Sequence, residues 1–213
     1  MSYNLVLFDF DGTLADSFPW FLKTINQLAD KHGFKRIVQH EVEALRHLSS
    51  RDLMAHLGMP LWKLPAVTGD MRRLMTENAA AIPLFDGVRS MLERLAASGI
   101  TLGVVTSNTE ANVRAILGDT YVPLVRHFEC GASMFGKKAK FRKLVKAAGV
   151  APGRILCVGD EIRDAQAASE AGLDFAAVGW GYTNPDALAP YSCAAPFANA
   201  GELAEWLLER LES

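Results

Sequence analysis

The sequence predicts an α/β fold built on a parallel sheet, with a block of helices inserted after the first strand. Short runs rich in Val, Leu, Ile and Phe recur along the chain, and they are continuously apolar instead of alternating. Such strands are buried on both faces, as in a parallel sheet. Helical patterns that end before a glycine separate most of the runs, and strand, helix and strand in succession form the βαβ unit.

Four apolar runs are expected to form the strands of this sheet. They are residues 4–8, 101–105, 154–158 and 175–178. Amphipathic helices are expected to cover the faces of the sheet, because their apolar side chains recur on one side. They are predicted at 88–97, 141–148, 162–171 and 202–211, and a glycine follows each of the first three.

The interval from about residue 17 to 84 departs from this alternation, because its patterns are all helical. Helices are predicted there at 20–31, 41–48, 52–57 and 67–81. Proline and glycine interrupt the patterns at Phe18-Pro19 and again between Ile82 and Gly87. We therefore expect two units: residues 1–16 with 85–213 form the α/β core, and residues 17–84 form the helical insertion.

The composition excludes some classes of partner. The 213 residues carry 22 Lys and Arg against 24 Asp and Glu, for a net charge of −2, which argues against nucleic acid as the main partner. No apolar run reaches the length of a membrane span, and the N-terminus does not resemble a signal peptide. The three cysteines are odd in number and widely spaced, which indicates a reducing compartment. A soluble, cytoplasmic protein is expected, and the sequence predicts no oligomeric state.

Two aspartates, Asp9 and Asp11, directly follow the first predicted strand. Residues two apart in an extended chain point the same way, so both carboxyls are expected to face one site. Two carboxylates so close repel each other unless a cation or a shared proton compensates, which indicates a divalent metal ion. Gly12 permits the positive φ or close backbone approach with which the chain can turn after the pair.

A second acidic motif follows the strand predicted at 154–158, at the sheet edge where parallel sheets bind ligands. Asp160 stands at the end of that strand and Asp164 lies one helical turn further on, so both can face the same edge. Oxygen ligands without nearby His or Cys favour Mg²⁺ over Zn²⁺. The alternative is that Asp160 caps the following helix and that the other acids are solvated.

Two further segments are candidates for contact with an anion. Thr106-Ser107-Asn108 follows the strand predicted at 101–105, where hydroxyl and backbone N–H groups suit a phosphoryl oxygen, although the segment could equally cap the next helix. A basic run from Lys137 to Lys146 is expected to be mostly a solvated helix face. One lysine at its start could reach an anion.

These segments stand in a fixed order along the chain. They are Asp9-Phe10-Asp11-Gly12-Thr13-Leu14, Thr106, a lysine at 137 or 138, and Gly159-Asp160 with Asp164. This set resembles the four motifs of the haloacid dehalogenase-like (HAD) hydrolase superfamily, and the helical block resembles its small helical cap. The whole pattern is most similar to the phosphoglycolate phosphatase-like branch. The resemblance implies a Rossmann-like parallel sheet core with an inserted α-helical cap, and a phosphatase that forms an aspartyl-phosphate.

The resemblance also implies a role for each motif residue. Asp9 would be the nucleophile, Asp11 the general acid and base, Thr106 a hydrogen-bond donor to the phosphoryl group, and Lys137 the cation that neutralises it. Mg²⁺ would be held by the carboxylates of Asp9 and Asp160 and the backbone carbonyl of Asp11, with Asp164 as a further contact. Lys137 is preferred over Lys138 because it directly follows Gly136.

A small phosphorylated metabolite is the expected substrate. The residues expected to contact it are Gly12, Thr13, Ser107 and Asn108 in the core, and Ser50 and Arg51 in a polar break between two helices of the block. For the polar break, the alternative is an ordinary helix cap with a solvated arginine.

Three reactions or roles remain open on the same set of residues. Phosphate ester hydrolysis needs a proton donor for the leaving alcohol, which Asp11 supplies, whereas expulsion of a halide needs none. A phosphosugar mutase would use the same core residues and differ only in its cap. A catalytically idle module that binds a phosphoryl group or a partner is the third possibility, since fold alone does not imply activity.

Overall fold

The computed structural model describes residues 2–48, 50–131 and 136–211, with only the backbone for residues 50, 51 and 136. Within these residues, five strands form one sheet. They are β1 (Leu5–Phe8), β2 (Thr101–Val105), β3 (Val125–Glu129), β4 (Ile155–Gly159) and β5 (Asp174–Ala177). Every neighbouring pair is parallel and the spatial order is β3-β2-β1-β4-β5. The α/β fold with a Rossmann-like parallel sheet is therefore confirmed.

Helices cover both faces of the sheet and fill the insertion after β1. They are α1 (Phe18–His32), α2 (Val42–Leu45), α3 (Ser50–His56), α4 (Leu64–Asn78), α5 (Val88–Ala97), α6 (Glu110–Tyr121), α7 (Gly136–Ala148), α8 (Ile162–Ala171), α9 (Pro185–Leu188) and α10 (Ala200–Glu209). The bounds predicted for α5 and α8 agree residue for residue. In the described ranges, no helix combines the length and the apolar character that crossing a membrane requires.

Strand β3 corrects the prediction of four strands. It lies at the edge of the sheet, where it pairs only with β2. Of its residues Val125 alone is buried, and Arg126 to Glu129 are exposed or half-buried. An edge strand needs no continuous apolar run, so the signal that identified the other strands is absent here.

Each face of the sheet has its own apolar core because successive strand residues point to opposite sides. In β1, Val6 and Phe8 pack with residues of α5 and α10, whereas Leu5 and Leu7 pack with residues of α7 and α8. Fully burying each such side chain stabilises the fold by roughly 1.5–3 kcal/mol. These cores fix the position of the strand ends and hence of the loops that follow them.

The helical block between β1 and α5 has a separate apolar core. Ile25, Leu28, Val42, Leu57 and Val67 are among its buried members, and none of them belongs to the two cores of the sheet. This cluster joins helices α1 to α4 into one packed unit.

The two chain segments that connect this block to the sheet lie side by side. Ala15 forms an antiparallel bridge with Leu84. The N–H of Asp16 donates to the Pro83 carbonyl at 2.9 Å, and the N–H of Phe85 donates to the Leu14 carbonyl at 3.0 Å. The block therefore leaves and rejoins the core at one place, directly beyond the carboxyl end of β1.

Candidate active site

The loop after β1 carries the first acidic motif to the carboxyl edge of the sheet. The Asp9 N–H donates to the Val158 carbonyl at 2.8 Å, so this residue continues the ladder between β1 and β4. Gly12 has φ +81°, and a Cβ there would lie 2.3 Å from Asp160 Oδ2. Only glycine allows the backbone of this loop to pass so close to the second acidic motif.

Three carboxylates from two motifs meet at this edge. Asp9, Asp160 and Asp164 are all buried, and each offers an oxygen within 4.8 Å of the other two. Asp164 Oδ2 is buried and has no hydrogen-bond partner among the described residues. Burial and the neighbouring carboxylates raise the pKa of Asp160. The same two causes raise the pKa of Asp164 to about 7. A buried all-oxygen set whose negative charge is disfavoured fits a hard divalent cation, so the cluster can bind a metal ion.

The Asp160 carboxylate is held in place from both sides. Thr13 Oγ1 donates to Oδ1 at 2.7 Å, and the backbone N–H of Tyr182 donates to Oδ2 at 2.7 Å. The expectation that Thr13 contacts substrate needs correction, because its side chain is only 1% exposed and its hydroxyl is directed at Asp160. The N-cap position of α8 is Glu161, without a side-chain cap hydrogen bond, so the alternative that Asp160 caps this helix is wrong.

The loop after β5 completes this support, and its backbone approaches Asp160 closely. A Cβ at Gly181 would lie 2.2 Å from the Cβ of Asp160.

We expect Gly181→Ala to displace the Asp160 carboxylate and to weaken Mg²⁺ binding by about 10- to 100-fold, the usual cost of disturbing a ligand's support. Titration calorimetry with Mg²⁺ measures this. Gly153→Ala is the matched control, because a Cβ there meets nothing within 4 Å. Equal Mg²⁺ affinity in both variants would contradict the role of the loop.

Lys137 is the lysine that the structure brings to the carboxylates. Its Nζ lies 2.8 Å from Asp9 Oδ1 and 2.5 Å from Asp164 Oδ1. Burial by itself lowers the pKa of Lys137, but the two carboxylates outweigh it and the pKa is raised. Burial likewise raises the pKa of Asp9, yet Lys137 and Arg163 outweigh it and lower the pKa. Asp9 is thus held as a carboxylate. Lys138 instead pairs with Glu170 at the surface, at 2.9 Å.

Asp11 stands in a different environment from Asp9. Burial raises its pKa to about 6, and the nearby charge of Asp9 adds to the effect. Asn108 Nδ2 donates to Asp11 Oδ2 at 3.0 Å, while Asn108 Oδ1 accepts from Thr109 N–H and Asn112 Nδ2, both at 2.9 Å. Asn108 therefore orients Asp11, and its contact with substrate stays a prediction. A carboxyl whose pKa lies near neutrality suits proton exchange.

Thr106 lies at the end of β2 and is buried beside the cluster. Its Oγ1 accepts from the Asn108 N–H at 3.0 Å. The N-cap residue of α6 is Thr109, whose side chain accepts from the Asn112 N–H at 3.2 Å. The alternative that the segment 106–108 caps this helix is therefore wrong by one residue.

Lys140 is an exception to the expectation that the basic run is mostly a solvated helix face, which Arg142, Lys143 and Lys146 follow because they are exposed. It is 8% exposed, and its Nζ donates to the carbonyls of Thr106, Glu129 and Gly131. Burial lowers the pKa of Lys140. This contact ties the ends of β2 and β3 together and fixes the backbone that carries Thr106.

A cavity of about 380 Å³ lies between the carboxylates and the helical block. Asp11, Ser107 and Tyr182 line its core side. Phe18 also lines it, and its ring meets the Tyr182 ring edge-on at 4.9 Å between centroids. In the sequence, Tyr182 follows the strand predicted at 175–178, so it could border the site or form a partly buried loop, and the folded chain brings it to the cavity.

The predicted substrate contacts in the helical block remain predictions. Ser49 lies outside the described residues, and the side chains of Ser50 and Arg51 lie outside them too. The backbone places residue 50 at the first position of α3.

Arg46, which follows α2, links the helical block to the loop after β5. Its Nη2 donates to the Gly181 carbonyl at 2.8 Å and its Nε donates to the Tyr182 carbonyl at 3.2 Å. In return, its own carbonyl accepts from the Asn184 N–H at 3.1 Å. The sequence pattern places Arg46 inside the helix predicted at 41–48, and an arginine at such a position carries no signal of so distant a contact.

The chain was compared with known proteins. The sequence model of the family described as haloacid dehalogenase-like hydrolase matches residues 6–178. Phosphoglycolate phosphatase of Synechococcus elongatus is 31% identical over 205 residues, which cover 96% of this chain and 92% of that protein. Phosphoglycolate phosphatase of Xanthomonas campestris is 34% identical and 83% of each chain is covered. The solved structure of a haloacid dehalogenase-like family hydrolase from Streptococcus pneumoniae has a TM-score of 0.81 at 16% identity, covering 96% of this chain and 98% of its own. At that identity the likeness shows the fold alone.

Proposed function

Because the chain belongs to the haloacid dehalogenase-like hydrolase family, we propose that it is a phosphatase that hydrolyses a small phosphomonoester through an aspartyl-phosphate on Asp9. The observation that carries this proposal is the contact of Lys137 Nζ with Asp9 Oδ1 at 2.8 Å, beside the buried Asp160 and Asp164 carboxylates. The names of the relatives make phosphoglycolate the first substrate to test.

In the first step, an Asp9 carboxylate oxygen forms a bond to phosphorus and the ester P–O bond breaks. Asp11 donates its proton to the oxygen of the leaving alcohol. The Lys137 ammonium neutralises charge on the phosphoryl group, and the Thr106 hydroxyl donates a hydrogen bond to it. The Ser107 backbone N–H would add a second donor, and the position of Ser107 in the cavity lining supports this.

In the second step, Asp11 accepts a proton from water, and the water oxygen forms the new bond to phosphorus. The bond between phosphorus and the Asp9 oxygen then breaks, and Asp9 returns as a carboxylate. Asn108 keeps the Asp11 carboxyl in the orientation that both proton transfers require, through the 3.0 Å bond described above. The products are the alcohol and inorganic phosphate.

The metal proposed for the cluster is Mg²⁺. The carboxylates of Asp9, Asp160 and Asp164 would hold it together with the Asp11 backbone carbonyl, in line with its preference for oxygen ligands. When bound, Mg²⁺ offsets the negative charge of the phosphoryl group. The orphaned Asp164 Oδ2 and the raised pKa values of Asp160 and Asp164 support a cation here.

Removal of the metal tests this assignment. We expect EDTA to abolish hydrolysis and added Mg²⁺ to restore it, whereas Ca²⁺ should not, because its larger radius and looser geometry misplace the attacking carboxylate. Initial rates with p-nitrophenyl phosphate give the readout, and EDTA already saturated with Mg²⁺ is the control for the chelator itself. Full activity with Ca²⁺ alone would argue against a positioning role for the metal.

We also propose that residues 1–16 with 85–213 act as the α/β core and residues 17–84 as a cap over the site. The separate apolar cluster of the helical block and the paired connecting segments support this division. A cytoplasmic location is proposed as well, supported by Cys130, Cys157 and Cys193, which form no disulfide in the described part of the chain.

A panel of phosphorylated metabolites, ranked by kcat/KM at fixed Mg²⁺, identifies the substrate. Phosphoglycolate heads the panel, and small phosphorylated acids and sugars follow. We expect at least one of them to be turned over with release of inorganic phosphate. No turnover of any phosphoester would contradict the proposal and favour the idle binding module. Conversion of one phosphosugar into its isomer would favour the mutase.

A further inference from the structure

The cavity beside Asp11 is larger and more apolar than a two-carbon phosphorylated acid requires. It holds about 380 Å³ and continues from Asp11 and Ser107 into the helical block. Leu22, Leu45 and Met71 are among the side chains that line it there. Ligand pockets of this size ordinarily enclose molecules well above two carbons.

Apart from Asp11, whose Oδ1 has no hydrogen-bond partner among the described residues, the charged groups that line the cavity in the described part of the chain have partners. Arg46 donates to the Gly181 and Tyr182 carbonyls, and Arg163 Nη2 lies 2.6 Å from Glu161 Oε1. Water needs two to four polar partners to be held in a cavity. Besides Arg46, the described lining within the helical block offers a polar side-chain atom only at Trp20 and Thr68, and its leucine and methionine side chains offer none. The cap end of the cavity is therefore suited to an apolar group.

We propose that this end of the cavity binds the alcohol portion of phosphomonoesters that carry an apolar group about the size of a phenyl ring. The inference rests on the proposed function and deepens it by naming a substrate class for the same site. The phosphoryl group lies at Asp9, the leaving oxygen at Asp11, and the apolar group points toward α1 and α4. Phe18, one turn before Leu22 on α1, contacts Tyr182 and so places this lining directly beside the core side of the site.

The comparison of benzyl phosphate with ethyl phosphate at fixed Mg²⁺ tests the proposal. Both are esters of primary alcohols with the same charge, so the apolar group is the main difference between them. We expect kcat/KM for benzyl phosphate to be about tenfold higher or more, the lower range of discrimination by a hydrophobic pocket. Equal or lower kcat/KM for benzyl phosphate overturns the proposal. Hydrolysis of phosphoglycolate without hydrolysis of either ester overturns it and leaves the proposed function standing. Failure of all three substrates also overturns it, and the metabolite panel described above then decides whether the proposed function stands.

Leu22→Gln assigns the effect to the cavity. Its side chain would place an amide in the apolar lining, so we expect the benzyl to ethyl ratio of kcat/KM to fall about tenfold, toward one. The ratio within one preparation does not depend on the fraction of folded protein. Leu61→Gln is the matched control, because Leu61 is 76% exposed in the same helical block and does not line the cavity. An unchanged ratio in Leu22→Gln, or an equal fall in Leu61→Gln, overturns the assignment.

Discussion

Asp9→Asn is expected to lower kcat by about 10⁴- to 10⁶-fold, the range found when a nucleophile that forms a covalent intermediate, or a residue that supports it, is removed. The amide oxygen of Asn carries no charge and attacks phosphorus poorly. Lys137 keeps Asp164 as a partner at 2.5 Å, and the cluster loses one of three mutually repelling charges. Against this relief, the lowered pKa of Asp9 means that its charge stabilises the folded protein, so we expect the variant to fold with modestly lower thermal stability. Steady-state kinetics and thermal unfolding measure the two effects.

Asp16→Asn is the matched control for this variant. It makes the same chemical change on the segment leading to α1, where Asp16 contacts Pro83 through its backbone and its carboxyl is half-buried. We expect it to retain activity. Mass spectrometry of acid-quenched wild-type protein should find a phosphoryl group on the peptide that contains Asp9. Turnover that survives Asp9→Asn would exclude this residue as the nucleophile.

Lys137→Met is expected to lower both activity and stability. It removes the cation that lies between Asp9 and Asp164 and leaves two buried carboxylates without their counter-charge. Breaking a buried pair in this way costs about 3–5 kcal/mol in the free energy of unfolding. Loss of a preorganised donor to the phosphoryl group lowers kcat by about 10²- to 10³-fold. Urea unfolding and steady-state kinetics of the purified variant provide the two measurements.

Lys138→Met provides an adjacent control with the same change. Lys138 pairs with Glu170, and the two side chains are 37% and 57% exposed. Such surface pairs contribute about 0–1 kcal/mol, so we expect stability and kinetics close to those of the unchanged protein. Similar losses in both variants would mean that neither lysine acts directly at the phosphoryl group.

The strands that the sequence predicted are the ones whose burial leaves a local signal. β1, β2, β4 and β5 lie between other strands or beneath helices, and their residues are almost all buried, so their apolar runs are continuous. β3 and β5 are the two edge strands, but residues 193–197 hydrogen-bond along the outer side of β5, whereas β3 mixes Arg, His and Glu with its apolar residues. It was missed because its formation depends on β2 being present, which no local pattern records.

The residues of the candidate site likewise fall into those with a local sequence signal and those without one. Asp9 and Asp160 directly follow strands, and Asp11 and Asp164 come two and four residues after them, so their approach could be predicted from the parallel strands and this spacing. Support from Tyr182 and Arg46 depends on contacts between distant segments and has no local signature.

The choice between neighbouring lysines depends on the start of a helix. One residue turns the side-chain direction by about 100°, so Lys137 and Lys138 face different surroundings once α7 begins at Gly136. The sequence pattern predicts that helix only from residue 141, five residues after α7 begins, so it did not indicate the side-chain directions of the two lysines.

The hydrogen bonds between the segments at 14–16 and 83–85 have a consequence for how this chain can vary. Because the helical block leaves and rejoins the core at adjacent points, a change in the length of the block need not alter the positions of the strands in the sheet. Insertions with adjacent ends are tolerated well. The residues proposed for phosphoryl transfer all lie outside 18–81, whereas the apolar lining of the cavity lies mostly inside it. The residues proposed for the reaction and those proposed to select the substrate therefore lie in separate stretches of sequence. Exchange of the helical block alone is expected to change the substrate range and to leave the residues for phosphoryl transfer in place.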